Sequence, residues 1–439
     1  MADPTVAPLL VAGGTVLDAD GSRRADVRIG GDGRIAEVGP DLDADGAQVL
    51  DATGCLVAPG LVDLHTHLRQ PGKEEAETIE TGSRCAALGG YTAVVAMPNT
   101  TPTMDSAAVI REVQELGRAA LCAVVPSGAI TVGRAGEQLS PMAELAELGV
   151  TIFTDDGTGV QDDRLMRRAL EYASGLGVTL AQHCEVTSLS EGSCMHEGEW
   201  SSRLGLPGQP AEAEELMVMR DIALARLTGA RVHLQHLSTA GSVALVRAAK
   251  AEGLPVTAEA TTHHFTLTDA CVASYDPVFK VHPPLRTDAD VAAVRSGLAD
   301  GTIDAIATDH APHTTEEKER PFDAAPPGML GLETALALAL TELTGPDADP
   351  RLDVAEVLAL LSWRPAAIAG IDDRHGGPVV PGRPANLCVV DADATWTVDR
   401  ERTASRSRNT PYAGRTLRGR VRHTIYEGTP TVIDGDATR

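Results

Sequence analysis

Leu61-Val-Asp-Leu-His65-Thr-His67-Leu-Arg69 is the stretch on which the reading of this chain turns. Its first four residues form a short, mostly apolar strand candidate. Residues two apart on a strand project to the same side, so His65 and His67 can present two imidazoles to one metal at the strand's C-terminal end. An isolated H-x-H is equally compatible with an incidental polar pair, so its weight comes from what surrounds it. Seven more apolar strand candidates follow, at residues 92–97, 121–125, 150–153, 178–181, 231–235, 255–259 and 303–307. Helical patterns fall between or after them, for example at 107–116, 163–176, 212–227, 242–252 and 330–343. Such a β-α alternation predicts a parallel sheet, and eight units within residues 61–344 match an α/β fold of the (β/α)₈ TIM-barrel type.

Outside that region the texture changes. Short apolar runs at 8–12, 15–17 and 27–29 are split by glycine and aspartate clusters such as Gly30-Gly-Asp-Gly33, which predicts an antiparallel β unit. The tail beyond Gly382 repeats the pattern at 386–390, 396–398, 421–426 and 431–433. We therefore expect residues 1–58 and 376–439 to combine into a small β-sandwich domain flanking a barrel over residues 59–375.

Ligand-type residues follow the ends of other predicted strands: Asp155-Asp156 after the fourth, His183 after the fifth, His236 after the sixth and Asp309 after the eighth. In a barrel those ends converge on the face where active sites of this architecture sit. Four neutral imidazoles and two carboxylates suit two borderline divalent ions such as Zn²⁺, with one carboxylate bridging, better than an all-oxygen Mg²⁺ or Ca²⁺ site.

Composition narrows the partners. With 37 Lys+Arg against 62 Asp+Glu, the net charge of −25 opposes binding to nucleic acid or an anionic membrane surface. Twelve aromatics (3 Trp, 5 Tyr, 4 Phe) make a base-stacking platform improbable. No apolar run approaches the roughly 18 residues that span a bilayer; the longest candidate is residues 335–340. Met1-Ala-Asp-Pro-Thr5 lacks the basic start of a signal peptide, and seven scattered cysteines without a C-x-x-C read as reduced thiols of a cytoplasmic protein.

Two stretches, Asp63-Leu-His-Thr-His-Leu-Arg-Gln-Pro-Gly72 and Ala307-Thr-Asp-His-Ala-Pro-His313 with Lys318 beyond it, resemble the signatures of dihydroorotases, cyclic amidohydrolases of pyrimidine biosynthesis. The similarity runs over essentially the whole chain and includes Asn409-Thr-Pro-Tyr-Ala-Gly414. It implies a binuclear zinc centre with His65 and His67 on one metal, His183 and His236 on the other, and a shared carboxylate. Many relatives bridge with a carboxylated lysine. Here Ile152-Phe-Thr-Asp-Asp-Gly157 offers none, which resembles the aspartate-bridged class, with Asp156 favoured over Asp155, and argues against hydantoinase and allantoinase. Asp309 matches the position that ligates the first metal and shuttles the proton; the alternative is that it serves only as a ligand.

For the substrate carboxylate, the resemblance implies Arg69, Asn99 and His313, with His67 also facing substrate. Arg69 follows His67 by two residues on the same alternating face and offers a bidentate guanidinium contact. His282 stands where the family usually has Asn, and Pro327-Gly328 align with a backbone stretch that touches substrate. The implied reaction is the reversible hydrolysis of (S)-dihydroorotate to N-carbamoyl-L-aspartate by a metal-bridging hydroxide, with Asp309 as proton shuttle. A homodimer, and association with aspartate transcarbamoylase, are implied as well. The competing readings are a hydantoinase-type or allantoinase-type hydrolase and a catalytically dead scaffold homologue. His263 and His264 are expected to have structural or supporting roles, and Cys184 to point away from the pocket. The eight arginines of residues 400–422 are expected to form a solvated, ion-paired face, and residues 314–320 a loop that closes over substrate.

Overall fold

The computed structural model describes residues 7–439. Residues 1–6, the start of the expected 1–58 span, lie outside the described residues. All eight strands expected between residues 61 and 307 are present: β1 (Leu61–Thr66), β2 (Tyr91–Ala96), β3 (Ala123–Pro126), β4 (Ile152–Thr154), β5 (Thr179–Gln182), β6 (Val232–Leu234), β7 (Val256–Thr261) and β8 (Ala305–Ala307). They are parallel throughout, in a three-stranded sheet β3-β2-β1 and a five-stranded sheet β4-β5-β6-β7-β8. Isolated parallel bridges continue the pairing at both seams, Gly128 with Phe153 and Thr66 with His310. The Asp63 carboxylate reinforces the second seam, accepting from the Thr308 amide (3.1 Å), the Thr308 hydroxyl (2.5 Å) and the His65 amide (3.1 Å).

A helix follows each strand: α1 (Ile79–Leu88), α2 (Ala107–Gly117), α3 (Met142–Glu147), α4 (Asp163–Leu176), α5 (Glu212–Thr228), α6 (Ala240–Ala251), α7 (Asp288–Ala299) and α8 (Ala335–Thr344). Their starts are written locally. Thr78 and Thr287 close capping boxes on α1 and α7, and Asp162 and Thr239 accept amide bonds from the first turns of α4 and α6. α4 ends at Gly177 with φ 71°, a left-handed C-cap that glycine adopts without a Cβ clash.

The strands bury both faces, as parallel sheets do. Val94, Phe153, Leu180 and Ile306 pack outward in the large core that includes helix residues, while their neighbours Val95, Ile152, Ala181 and Ala305 pack inward with Leu64 and Met97. Gly128 is glycine because a Cβ there would meet the Phe153 ring at 2.6 Å. Truncating the fully buried Phe153 to Ala would cost about 3–5 kcal/mol.

Strands from both ends of the chain form two further sheets. One holds four strands (Ile35–Gly39, Asp26–Ile29, Leu9–Ala12 and Gln48–Asp51), and the other seven, in which Leu387–Thr397 lies between Thr416–Tyr426 and Leu56–Pro59. Their facing side chains, among them Val11, Val27, Ile29, Val57, Leu387, Val389 and Ile425, share one apolar cluster. Two expectations need correction. The pairing is mixed, since Leu9–Ala12 runs parallel to Gln48–Asp51 and Thr15–Asp18 parallel to Leu56–Pro59. Residues 386–390 and 396–398 are not separate strands: Leu387–Thr397 is continuous across an irregularity between Asp391 and Thr395, where the Asp391 carboxylate caps the Asp393 and Ala394 amides. Among the described residues, no helix is long and apolar enough to cross a membrane.

Candidate metal centre and substrate cavity

The C-terminal ends of β1, β4, β5, β6 and β8 bring six ligand-type side chains together. His65 Nε2 lies 3.2 Å from Asp156 Oδ1 and 3.6 Å from Asp309 Oδ1, and His67 Nε2 lies 2.9 Å from Asp309 Oδ1 and 3.6 Å from Asp156 Oδ2. His183 Nδ1 is 3.6 Å from Asp156 Oδ1, and His236 Nε2 is 3.8 Å from the same oxygen. His65, Asp156 and His236 form one compact ligand trio, and His65, His67 and Asp309 another, so His65 borders both. His183 stands outside the two trios, its Nδ1 2.8 Å from His236 Nε2. Arg69, His236 and Asp309 all have positive φ (62°, 36° and 45°), strained backbone of the kind that gathers where a site fixes side-chain direction.

The donor set fits metal. His65 Nδ1 lies 2.9 Å from the Glu259 carboxylate, and His67 Nδ1 lies 3.0 Å from Asn99 Oδ1. Each of these acceptors assigns the ring proton to Nδ1 and leaves an Nε2 lone pair turned toward carboxylate oxygens, a juxtaposition of acceptors that a cation resolves. His65 Nε2 and His236 Nδ1 are buried with no hydrogen-bond partner. Burial opposes ionisation of Asp156 and Asp309, but the surrounding imidazoles hold both carboxyls below the usual carboxylate range, in the charged form that ligates metal. Burial likewise opposes charge on His65, yet Asp156, Glu259 and Asp309 raise its pKa well above the ordinary value, so that without a cation the ring would take up at Nε2 the proton that a bound metal replaces.

Above this floor opens a cavity of about 220 Å³. Its lining includes the expected Arg69, Asn99, His282, His313, Pro327 and Gly328, together with Gly157 and Ala311, which sequence reasoning did not single out. His65 lies beneath, fully buried. Arg69 reaches the wall by a different route from the one expected. β1 ends at Thr66, so strand alternation does not extend to residue 69; the left-handed turn at Arg69 directs its side chain instead. Its Nε donates to the Pro312 carbonyl (3.1 Å), and no carboxylate pairs with it among the described residues. The Asn99 amide is engaged by His67 and by Asp156 Oδ2 (3.3 Å). His282 Nδ1 and His183 Nε2 both lie 3.8 Å from the Glu185 carboxylate, a neighbour the sequence did not suggest.

The remaining candidates sort plainly. Asp155 faces away from the cluster and accepts from the Ile130 and Thr131 amides (2.8 and 3.0 Å). His264 is spent on Thr261 (2.7 Å) and the Pro283 carbonyl (3.0 Å), whereas His263 Nε2 is buried without a partner. The Cys184 thiol contacts the Gln182 carbonyl and is pushed up by burial, so it is no nucleophile. Residues 314–320 carry a short helix, Thr315–Lys318, whose Lys318 ammonium donates to the Pro277 and Pro326 carbonyls, both at 2.9 Å. Of the arginines in 400–422, Arg400, Arg408, Arg415, Arg418 and Arg422 are ion-paired. A larger cleft of about 880 Å³ lies beside Trp396 and Arg420 and includes none of the six cluster residues. Sequence reasoning gave no role to two further residues, Glu259, at the end of a predicted strand, and Asn409, noted only as the start of the stretch 409–414. Glu259 stands on β7 two residues beyond Thr257; a carboxylate inside a strand that is buried at both ends was the available signal.

A family model described as dihydro-orotase-like matches residues 54–242. The chain is 51% identical to a dihydroorotase of Pelotomaculum thermopropionicum over 428 residues, covering 97% of this chain and 99% of that one. It is 51% identical to a dihydroorotase of Streptomyces coelicolor over 433 residues, covering 98% and 99%. Among solved structures, L-hydantoinase (dihydropyrimidinase) from Arthrobacter aurescens superposes with a TM-score of 0.88 at 23% identity, over 99% of this chain and 98% of that one. D-hydantoinase (dihydropyrimidinase) from Thermus sp. does so with a TM-score of 0.83 at 26% identity, over 98% and 96%. The hydantoinase likenesses speak to a shared α/β fold, while identity near one half over nearly the full length of both sequences goes further: this chain belongs to the dihydroorotase family.

Proposed function

We propose that the protein catalyses the reversible hydrolysis of (S)-dihydroorotate to N-carbamoyl-L-aspartate. The observation that carries this reading is Arg69, a guanidinium facing the cavity without a carboxylate partner among the described residues, in a chain of net charge −25. A planar fork of donors beside a ligand cluster selects a substrate that carries a carboxylate on the same ring as its reactive amide. Hydantoins and allantoin lack a carboxylate on the ring and leave that charge unanswered.

Two zinc ions would be held by His65, His67, Asp156, His183, His236 and Asp309, with Asp156 shared. When bound, they supply acidification of water and polarisation of the amide carbonyl. Asp309 accepts the proton given up by the attacking water and delivers it to the ring nitrogen as the C–N bond breaks, since an amide nitrogen leaves poorly unless protonated. Asn99 fixes the His67 ring with its Nε2 beside the Asp309 carboxylate, so that one cation would hold both. Arg69, Asn99 and His313 receive the substrate carboxylate, His282 faces the ring, and the Pro327-Gly328 backbone closes the side. Ring opening creates a carboxylic acid that ionises, so higher pH favours hydrolysis and lower pH favours ring closure.

The scaffold is read as a closed (β/α)₈ barrel over residues 59–375 with a β-sandwich built from 1–58 and 376–439. The bridges from Gly128 to Phe153 and from Thr66 to His310, and the apolar cluster shared by the terminal strands, support that reading. A substrate panel on zinc-loaded protein tests the function: dihydroorotate should turn over faster than 5-substituted hydantoins, dihydrouracil and allantoin. Faster turnover of a hydantoin would overturn it.

A further inference from the structure

The segments carrying His313 and Gly328 run side by side on one wall of the cavity. His310 bridges to Met329, and the Ala311 amide donates to the Met329 carbonyl (2.8 Å). At the next step the Ala311 and Gly328 carbonyls both turn toward Asn409, from the chain's C-terminal region. Its Nδ2 donates to the Ala311 carbonyl (3.0 Å) and to the Gly328 carbonyl (3.1 Å), and its Oδ1 accepts from the His313 amide (3.3 Å). Its own carbonyl accepts from the Leu330 amide (3.1 Å). Asn409 is 5% exposed, and all three side-chain bonds end on backbone of residues that line the cavity.

Only a primary amide offers two N–H donors and one carbonyl acceptor at the end of so short a side chain. An aspartate would set a carboxylate against two carbonyl oxygens. The fit at Gly328 is tight, because a Cβ there would lie 2.7 Å from the Ala311 Cβ and 2.9 Å from His313 Nε2. The wall extends to the guanidinium: Arg69 Nε donates to the Pro312 carbonyl, between Ala311 and His313, and Arg69 Nη2 lies 3.4 Å from His313 Nε2.

We propose that Asn409 is a positioning residue for substrate-carboxylate recognition, an amide staple that holds residues 311–313 and 328 in the one register that aims Arg69 and His313 into the cavity. This rests on the reading of Arg69 and His313 as the carboxylate wall. Asn409 touches no substrate; it acts through the backbone of the residues that do.

The test uses full-length, zinc-loaded Asn409→Asp and Asn409→Ser, with Arg69→Ala as reference. For each, kcat and KM for dihydroorotate, zinc per chain, melting temperature and two competitive inhibition constants are measured. The inhibitors share a pyrimidine ring: orotate carries the carboxylate and 5,6-dihydrouracil does not. Loss of about one net hydrogen bond's worth of alignment predicts roughly tenfold increases in KM and in the orotate constant for both Asn409 variants. The turnover number should move less than about threefold, and zinc content and the dihydrouracil constant should stay at wild-type values. Parallel loss of turnover, zinc and both inhibitors would overturn the proposal, as would failure of both Asn409 variants to melt cooperatively, since either outcome marks a residue of general stability. If Arg69→Ala weakens orotate while neither Asn409 variant does, the staple fails. If Arg69→Ala itself leaves orotate unaffected, it is the carboxylate wall that fails.

Discussion

Glu259→Gln isolates the support beneath the candidate metal-ligand cluster from the cluster itself. Glu259 is fully buried, with Oε1 2.9 Å from His65 Nδ1 and Oε2 3.1 Å from His233 Nε2, and it approaches the His236 amide at 3.4 Å. Burial opposes its ionisation, but His233 and His65 hold its carboxyl down to about 2, so at neutral pH it is an anion accepting from two imidazoles. Glutamine keeps the shape but has a single acceptor oxygen, so one of the two rings loses its bond or must take the opposite tautomer. For His65 that tautomer puts a proton on Nε2, the atom facing Asp156 at 3.2 Å. A charge-assisted hydrogen bond is worth about 1.5–3 kcal/mol net, a factor of roughly 10–150 in an equilibrium constant. Orienting partners of metal-bound histidines typically change affinity by about 10–100-fold. Zinc affinity in Glu259→Gln, measured by competition with a chromophoric chelator, should therefore fall by one to two orders of magnitude. Excess zinc should restore most of the activity, because no substrate contact has been touched. Wild-type zinc affinity in this variant would refute the reasoning.

Asp309→Asn should lower turnover by about 10²–10⁴-fold, the usual contribution of a positioned acid/base; near-normal turnover in steady-state assays would remove its proton role. Gly328→Ala places a methyl within 3 Å of Ala311 and His313 at a φ of 141°, so KM for dihydroorotate should rise about tenfold or more while zinc content holds. His375 lies remote from the cluster, its Nδ1 3.2 Å from the Thr92 hydroxyl, and burial, then Arg374 and Arg383, push its pKa down to about 3. The unfolded chain binds a proton near pH 6.5 that the folded chain refuses until about pH 3, so this contribution is fully present above 6.5. It is lost toward pH 3 at about 1.4 kcal/mol per pH unit. Thermal melts of His375→Gln should show a shallower acid slope than wild type, and an equal slope would discount the residue.

The eight strands were legible because most are short apolar runs bounded by polar residues or proline, the pattern that parallel sheets covered on both faces demand. The meeting of residues 65, 67, 156, 183, 236 and 309 was legible for the same reason: strand ends announce themselves, and the architecture says where they point. Roles are another matter, and so are partners set by tertiary neighbours. Glu259 matters only because β7 puts it under His65, and Asn409 only because a distant segment folds back over residues 311 and 328; neither spacing is local. Arg69 was identified by its place in the H-x-H-x-R motif, but the alternation offered for its direction is one that the backbone abandons at Thr66. Mixed pairing of the terminal strands escaped notice because the parallel partners Leu9–Ala12 and Gln48–Asp51 are separated along the chain by four intervening strands, and hydrophobic texture carries no direction.

The seven-stranded sheet has a temporal meaning. Leu56–Pro59 pairs on one side with Thr15–Asp18 and on the other with Leu387–Thr397, so during synthesis its early strands wait for partners made more than three hundred residues later. Until then they present an unpaired edge, which invites association with other nascent chains. A ribosome stalled before residue 409 would hold all six cluster residues and Arg69, yet the amide that fastens one cavity wall would not exist. On the proposed reading of Asn409, competence to recognise an anion would arrive late in translation, after the six cluster residues have already been written out.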